Sequence, residues 1–129
     1  MSPILKSAAV FIGAGAGGVL RYWLGLWIAG ATTAAFPFGT FTINVTGSLL
    51  IGLVTGILLS IGGQETWRLL LVVGFLGGYT TFSSFSLELT NLVRDRSYLF
   101  ACGYAFGSLF LGLLAAVLGL SLARLITRS

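Results

Sequence analysis

Histidine is absent from the 129 residues, and cysteine occurs once, as Cys102. The first absence removes the commonest general base and the commonest catalytic-metal ligand. The second leaves no disulfide within the chain and no cysteine cluster for a metal. Charge is scarce as well, at 8% of residues, and the three acids, Glu65, Glu88 and Asp95, lie far apart. A membrane enzyme needs paired acids or a nucleophile with its base, and neither pattern occurs, so no enzyme is expected. The seven basic residues give a net charge of +4 but are scattered among helix ends, so they form no patch for nucleic acid.

Apolar residues, by contrast, make up 57% of the chain, with a mean hydropathy of +1.03. No soluble domain can hide that much apolar surface, so the class is all-α integral membrane, multi-pass in the lipid bilayer. A hydrocarbon core of roughly 30 Å needs about 20 apolar residues per helix. Windows of that kind run over residues 4–28, 37–60, 67–93 and 98–125, which predicts one four-helix membrane domain over 1–129 with short loops. The first window is too long for a signal peptide, lacks an A-x-A-like cleavage site and leads into three more spans.

Basic residues near helix ends normally fix orientation. Four spans put Lys6, Arg68, Arg124 and Arg128 on one side and Arg21, Arg94 and Arg96 on the other. Four against three is almost no bias. Such a balance is either without meaning in a short-looped protein or the mark of a chain that inserts both ways and pairs antiparallel. The G-x-x-x-G pairs Gly13/Gly17, Gly52/Gly56 and Gly103/Gly107 predict close helix packing in a compact bundle, with a second copy packed against it.

The third span reads Gly74-Phe-Leu-Gly-Gly-Tyr-Thr-Thr-Phe-Ser-Ser-Phe-Ser86. In hydrocarbon every backbone N–H and C=O needs a partner, so a helix tolerates paired glycines and a hydroxyl run only where it lines a cavity or holds an ion. The spacing predicts a break at Gly77–Thr80. At 1.5 Å per residue, Gly77 lies roughly 14 Å beyond Arg68, near the membrane midplane. The same counting collects Arg21, Asn44, Phe82, Ser83, Phe85, Tyr104 and Ser108 in one half of the bilayer. Asn44 and Ser48, like Tyr104 and Ser108, are four apart and share a face. Thr81, Ser84, Glu88 and Asn91 form one polar stripe, and Phe82 and Phe85 sit on a neighbouring one. Serines and threonines in membrane helices often do no more than bond their own i−4 carbonyl. Asn44 stands out, because a primary amide in lipid needs partners.

These groups are mainly hydrogen-bond donors, and phenyl rings present a positive edge. No ring of carboxylates, the usual cation device, accompanies them. Glu88 lies about 12 Å past Thr80 and is expected to reach water at the interface. A small anion is the solute that suits the cluster.

The chain closely resembles the Fluc (CrcB) fluoride channels along its whole length. The matching runs are Gly17-Gly18-Val19-Leu20-Arg21-Tyr22, Gly39-Thr40-Phe41-Thr42-Ile43-Asn44-Val45-Thr46-Gly47 and the third-span segment from Gly74 to Ser86. The resemblance implies an antiparallel, dual-topology homodimer with two fluoride pores, exporting cytoplasmic fluoride passively across a bacterial inner membrane. It implies a structural Na⁺ at the dimer centre, held by the backbone carbonyls of Gly77 and Thr80 from both subunits. The family's pore phenylalanines fall on Phe82 and Phe85, its pore asparagine on Asn44, and its polar track on Thr40, Ser83, Ser84, Tyr104 and Ser108. Gly112 stands where some members carry a further serine. Arg21 would raise the local anion concentration at a vestibule or act as a snorkelling anchor. The alternative is a small dual-topology, proton-coupled multidrug exporter. Such transporters need a buried carboxylate in the first span, which here carries Arg21 and no acid.

Overall fold

The computed structural model describes residues 1–128, and all regular structure among them is helical. Helix α1 spans Pro3–Ala31, with Pro3 in its first turn and the Ser2 hydroxyl accepting from the Leu5 amide at 3.4 Å. Helix α2 spans Phe38–Ser60. Helix α3 covers 65–79 and changes its winding twice: Glu65–Trp67 and Gly77–Tyr79 are α-helical, whereas Arg68–Leu76 is wound as a π-helix. Helix α4 is Phe82–Arg94 and helix α5 is Tyr98–Arg128.

Four stretches are long and apolar enough to cross a membrane: Pro3–Ala31, Phe38–Ser60, Glu65–Arg94 and Tyr98–Arg128. Three of them run past the windows expected from composition, by up to three residues at an end, and the second starts one residue later than expected. The chain is a multi-pass membrane protein, and its surface is built for lipid. Large apolar side chains such as Phe11, Trp27 and Leu99 stand out from the bundle, and the buried core is small. Lipid tails are as apolar as leucine, so these side chains gain little from being turned inward.

Close backbone approach holds the bundle. α1 runs against α3, and α2 against α5. A Cβ at Gly13 or Gly17 would strike the carbonyl oxygens of Leu70 and Phe75, and one at Gly52 would strike that of Ala116. Gly56 lies as tightly against Ala123. Two of the three G-x-x-x-G pairs are therefore contacts inside the subunit. Gly103 behaves differently: nothing lies within 4 Å of where its Cβ would be.

Two small clusters fix the helices around the third span. Ile43, Leu76 and Tyr79 meet between α2 and α3, and Leu92, Ala101 and Tyr104 meet between α4 and α5. Phe36, in the α1–α2 connection, packs edge-on to Tyr104 with ring centroids 5.4 Å apart.

The backbone interruption falls one step later than the glycines suggest. Gly77 and Gly78 stay helical, and the extended residues are Thr80 (φ −81°, ψ 159°) and Thr81 (φ −151°, ψ 113°). Gly78 instead serves packing, since a Cβ there would collide with the Ala14 backbone, whereas one at Gly77 would meet only the Val72 carbonyl of its own span at 3.9 Å.

Candidate functional site

An extended pair between two helices leaves amides and carbonyls without their intrahelical partners. α2 supplies the missing ones through Asn44. Its Oδ1 accepts from the Thr81 amide at 2.8 Å, and its Nδ2 donates to the Thr81 carbonyl at 3.0 Å. One side chain thus pairs with both backbone groups of one residue, as a neighbouring strand would. Thr81 then caps α4: its Oγ1 accepts from the Ser84 amide at 3.2 Å and donates to the Ser84 hydroxyl at 3.0 Å. On the other flank, Arg21 Nε donates to the Gly78 carbonyl at 3.1 Å. That bond ties the Arg21 side chain to α3.

These bonds have a consequence for two carbonyls. In an unbroken helix the Thr81 amide would point at the Gly77 carbonyl, and the Ser84 amide at that of Thr80. Both amides are committed elsewhere, to Asn44 and to Thr81 Oγ1. The Gly77 and Thr80 oxygens therefore lose the donors that a continuous helix would give them.

Thr81 lies between two recesses and lines both. The smaller, about 370 Å³, is lined among others by Asn44, Ser48, Thr80, Phe82, Phe85 and Ser108. Its character is aromatic and hydroxylic. The Phe82 and Phe85 rings are 5.7 Å apart, and Phe82 is 79% exposed on the surface of the single subunit. The Ser108 hydroxyl is buried and has no hydrogen-bond partner among the described residues, whereas Ser48 donates back to the Asn44 carbonyl at 2.8 Å. The larger recess, about 480 Å³, counts Arg21, Thr40, Ser84 and Glu88 among its lining residues.

Glu88 departs from expectation. Instead of only reaching water from a helix end, it accepts from Thr40 Oγ1 at 2.7 Å and from Tyr104 OH at 2.6 Å. Tyr104 is wholly buried and lines neither recess, and its ring packs on Phe85 with centroids 4.9 Å apart. A hydroxyl has one hydrogen to give. While both donate to Glu88, neither Thr40 nor Tyr104 can donate to a passing solute. Ser83 is exposed, lines neither recess, and has its hydroxyl 3.3 Å from Thr81 Oγ1.

The expected site residues therefore divide. Asn44, Phe82, Phe85 and Ser108 gather in one recess, and Arg21, Thr40 and Ser84 in the other. Tyr104 stands behind them as a buried support. The role of Glu88 had one sequence signal, its position on the Thr81–Ser84 stripe, but its donors come from two other helices.

Residues 8–120 match the family model described as CrcB-like protein, Camphor Resistance (CrcB). The chain belongs to the CrcB family. Among its CrcB relatives, a protein of Novosphingobium aromaticivorans named fluoride-specific ion channel FluC is 50% identical over 121 residues, covering 92% of this chain and 95% of its own. Proteins of the same name from Erythrobacter litoralis and Thermus thermophilus are 43% and 48% identical, over 97% and 85% of this chain and 96% and 87% of theirs. The CrcB match spans α1 to α5 and so includes every site residue described above.

Proposed function

We propose that this protein is a passive, fluoride-selective channel that exports cytoplasmic fluoride across a bacterial inner membrane. The observation that carries the reading is the smaller recess. Two phenyl rings, the Asn44 amide and the unpartnered Ser108 hydroxyl converge there beside an interrupted helix, in a chain whose relatives are named fluoride-specific channels. The interruption would lie near the bilayer midplane, since Thr80 and Thr81 fall at the middle of the Glu65–Arg94 stretch.

Fluoride holds its water shell tightly, and a pathway has to replace part of that shell without trapping the ion. Asn44 Nδ2 carries two hydrogens, and one is used on Thr81. The second, the unpartnered Ser108 hydroxyl and the positive ring edges of Phe82 and Phe85 are the groups left uncommitted for an anion. Thr40 and Tyr104 would join only if Glu88 released them. Arg21, in the larger recess, would raise the anion concentration at the entrance. Outward flow would be driven by the negative-inside potential, about 2.3 kcal/mol per charge per 100 mV.

The working unit would be an antiparallel, dual-topology homodimer with two pores. The four-to-three balance of basic residues supports it, as does the exposure of Phe82, which a partner subunit would cover. A Na⁺ at the dimer centre would be held by the Gly77 and Thr80 carbonyls of both subunits, where it would fix the two subunits together. Hard carbonyl oxygens whose helical amides are committed elsewhere fit such an ion.

The deciding experiment is fluoride efflux from proteoliposomes, read with a fluoride electrode, with valinomycin carrying potassium as counter-ion and chloride as comparison. Fast release of fluoride that depends on valinomycin, with little release of chloride, is the expected result. The alternative, a proton-coupled exporter, finds one supporting observation in Glu88, an acid hydrogen-bonded inside the bundle. Release that ignores valinomycin would favour it.

A further inference from the structure

Tyr79 is the last helical residue before the extended pair, and it is 4% exposed. Its phenol oxygen lies 2.8 Å from Thr46 Oγ1 on α2. The direction of that bond follows from the surroundings of Thr46. The Thr46 hydroxyl is 2.7 Å from the Thr42 carbonyl and 3.2 Å from that of Ile43, so its single hydrogen is given back to its own helix. Toward Tyr79 it accepts, and the phenol donates. The Tyr79 ring lies parallel to Phe75, with centroids 6.3 Å apart, and sits in the cluster with Ile43 and Leu76.

The next residue of α2 continues the same contact. A Cβ at Gly47 would meet the Thr80 methyl group, and would come within 3.2 Å of the Tyr79 ring. Asn44, one turn earlier on α2, takes Thr81. Three consecutive residues of the third span are thus held by one face of α2. Tyr79 is held by a hydroxyl, Thr80 by the space over a glycine, and Thr81 by an amide.

Packing alone would not require the Tyr79 hydroxyl, since phenylalanine would fill the same volume. What the hydroxyl adds is direction: a buried phenol must find its partner, and that fixes the rotation of the turn carrying it. Thr80 follows in the same turn, its amide donating to the Leu76 carbonyl at 3.0 Å.

We propose that the Tyr79–Thr46 hydroxyl pair is a positioning device for the ion pathway, fixing Thr80 and Thr81 where they line the smaller recess. Neither hydroxyl touches the ion, because Tyr79 and Thr46 line neither recess. The inference rests on the channel reading above and deepens it.

The test uses the full chain in proteoliposomes as wild type, Tyr79→Phe, Thr46→Val, Thr46→Ser and the double variant Tyr79→Phe/Thr46→Val. Fluoride efflux is measured per folded protein, and thermal melting is followed in parallel by size exclusion. Tyr79→Phe and Thr46→Val are each expected to slow efflux by about tenfold or more, and the double variant to be no slower than the slower single. Thr46→Ser, which keeps the acceptor, should stay within about twofold of wild type. Melting should separate the variants differently. Thr46→Val strands a buried phenol donor, whereas Tyr79→Phe and the double variant strand none, so these two keep the test alive if Thr46→Val fails to fold. Wild-type efflux from Tyr79→Phe in a folded protein, whatever its melting temperature, would overturn the positioning role and leave the channel reading intact. No efflux from the wild type would remove the channel reading, and this inference with it.

Discussion

Asn44 spends its amide twice on Thr81, and that double use separates what its loss would do from what the loss of a simple pore donor would do. Asn44→Ala should cripple fluoride efflux. It should also leave the Thr81 N–H and C=O without partners, at a cost of about 1–3 kcal/mol for each group that stays dry. A clear fall in melting temperature by size exclusion, with dimers still formed, is the expected accompaniment. Phe82→Ile should behave otherwise. Phe82 pairs with no backbone group of the extended pair, and isoleucine keeps an apolar side chain where a partner would cover it, so this variant should lose efflux with a smaller fall in melting temperature than Asn44→Ala. Equal melting losses in the two variants would mean that Asn44 does not carry the Thr81 backbone. Asn44 was legible in the sequence as a residue needing partners, but the partner was not, because Thr81 is thirty-seven positions away. Glu88 was misplaced for the same reason. Counting along one helix gives depth, and the Thr40 and Tyr104 hydroxyls that turn the carboxylate inward come from α2 and α5.

At the scale of the element, composition read the spans well and the winding poorly. Helix bounds in lipid follow from apolar length, which the sequence carries directly. The π-helix over Arg68–Leu76 left no such trace, since its residues after the arginine are apolar or glycine and show no polar face to betray the period. The break was expected over Gly77–Thr80; the extended residues are Thr80, its last position, and Thr81, while Gly78 stays helical and lets α1 and α3 meet. That reassignment is testable with a contrasting pair. Gly17→Ala puts a methyl group into the Phe75 carbonyl, and overpacking of this kind typically costs 1–3 kcal/mol. Gly103→Ala meets nothing within 4 Å and should melt at or above the wild-type temperature, since alanine favours helix by about 1 kcal/mol. Equal tolerance of both would mean that the α1–α3 contact is looser than described.

For the whole molecule, the near-even split of basic residues is the feature that dual topology would require. Ile61 and Gln64 are exposed in the α2–α3 connection, on the side that already carries Lys6 and Arg68. Replacing both by lysine moves the balance from four-to-three to six-to-three. Dual insertion predicts that the doubly substituted chain enters the membrane mostly one way round and yields fewer dimers by crosslinking. Co-expression with an oppositely biased partner should restore them. Unchanged dimer yield from the biased chain alone would argue for a parallel assembly.

Thr81 lines both recesses and forms part of the wall between them. With both recesses filled by water, much of the membrane voltage would drop across that wall rather than over the full bilayer. An ion would then meet the electric field as one short step, so the current should bend upward with voltage as it does over a single barrier, rather than rise almost linearly as over a long file of sites.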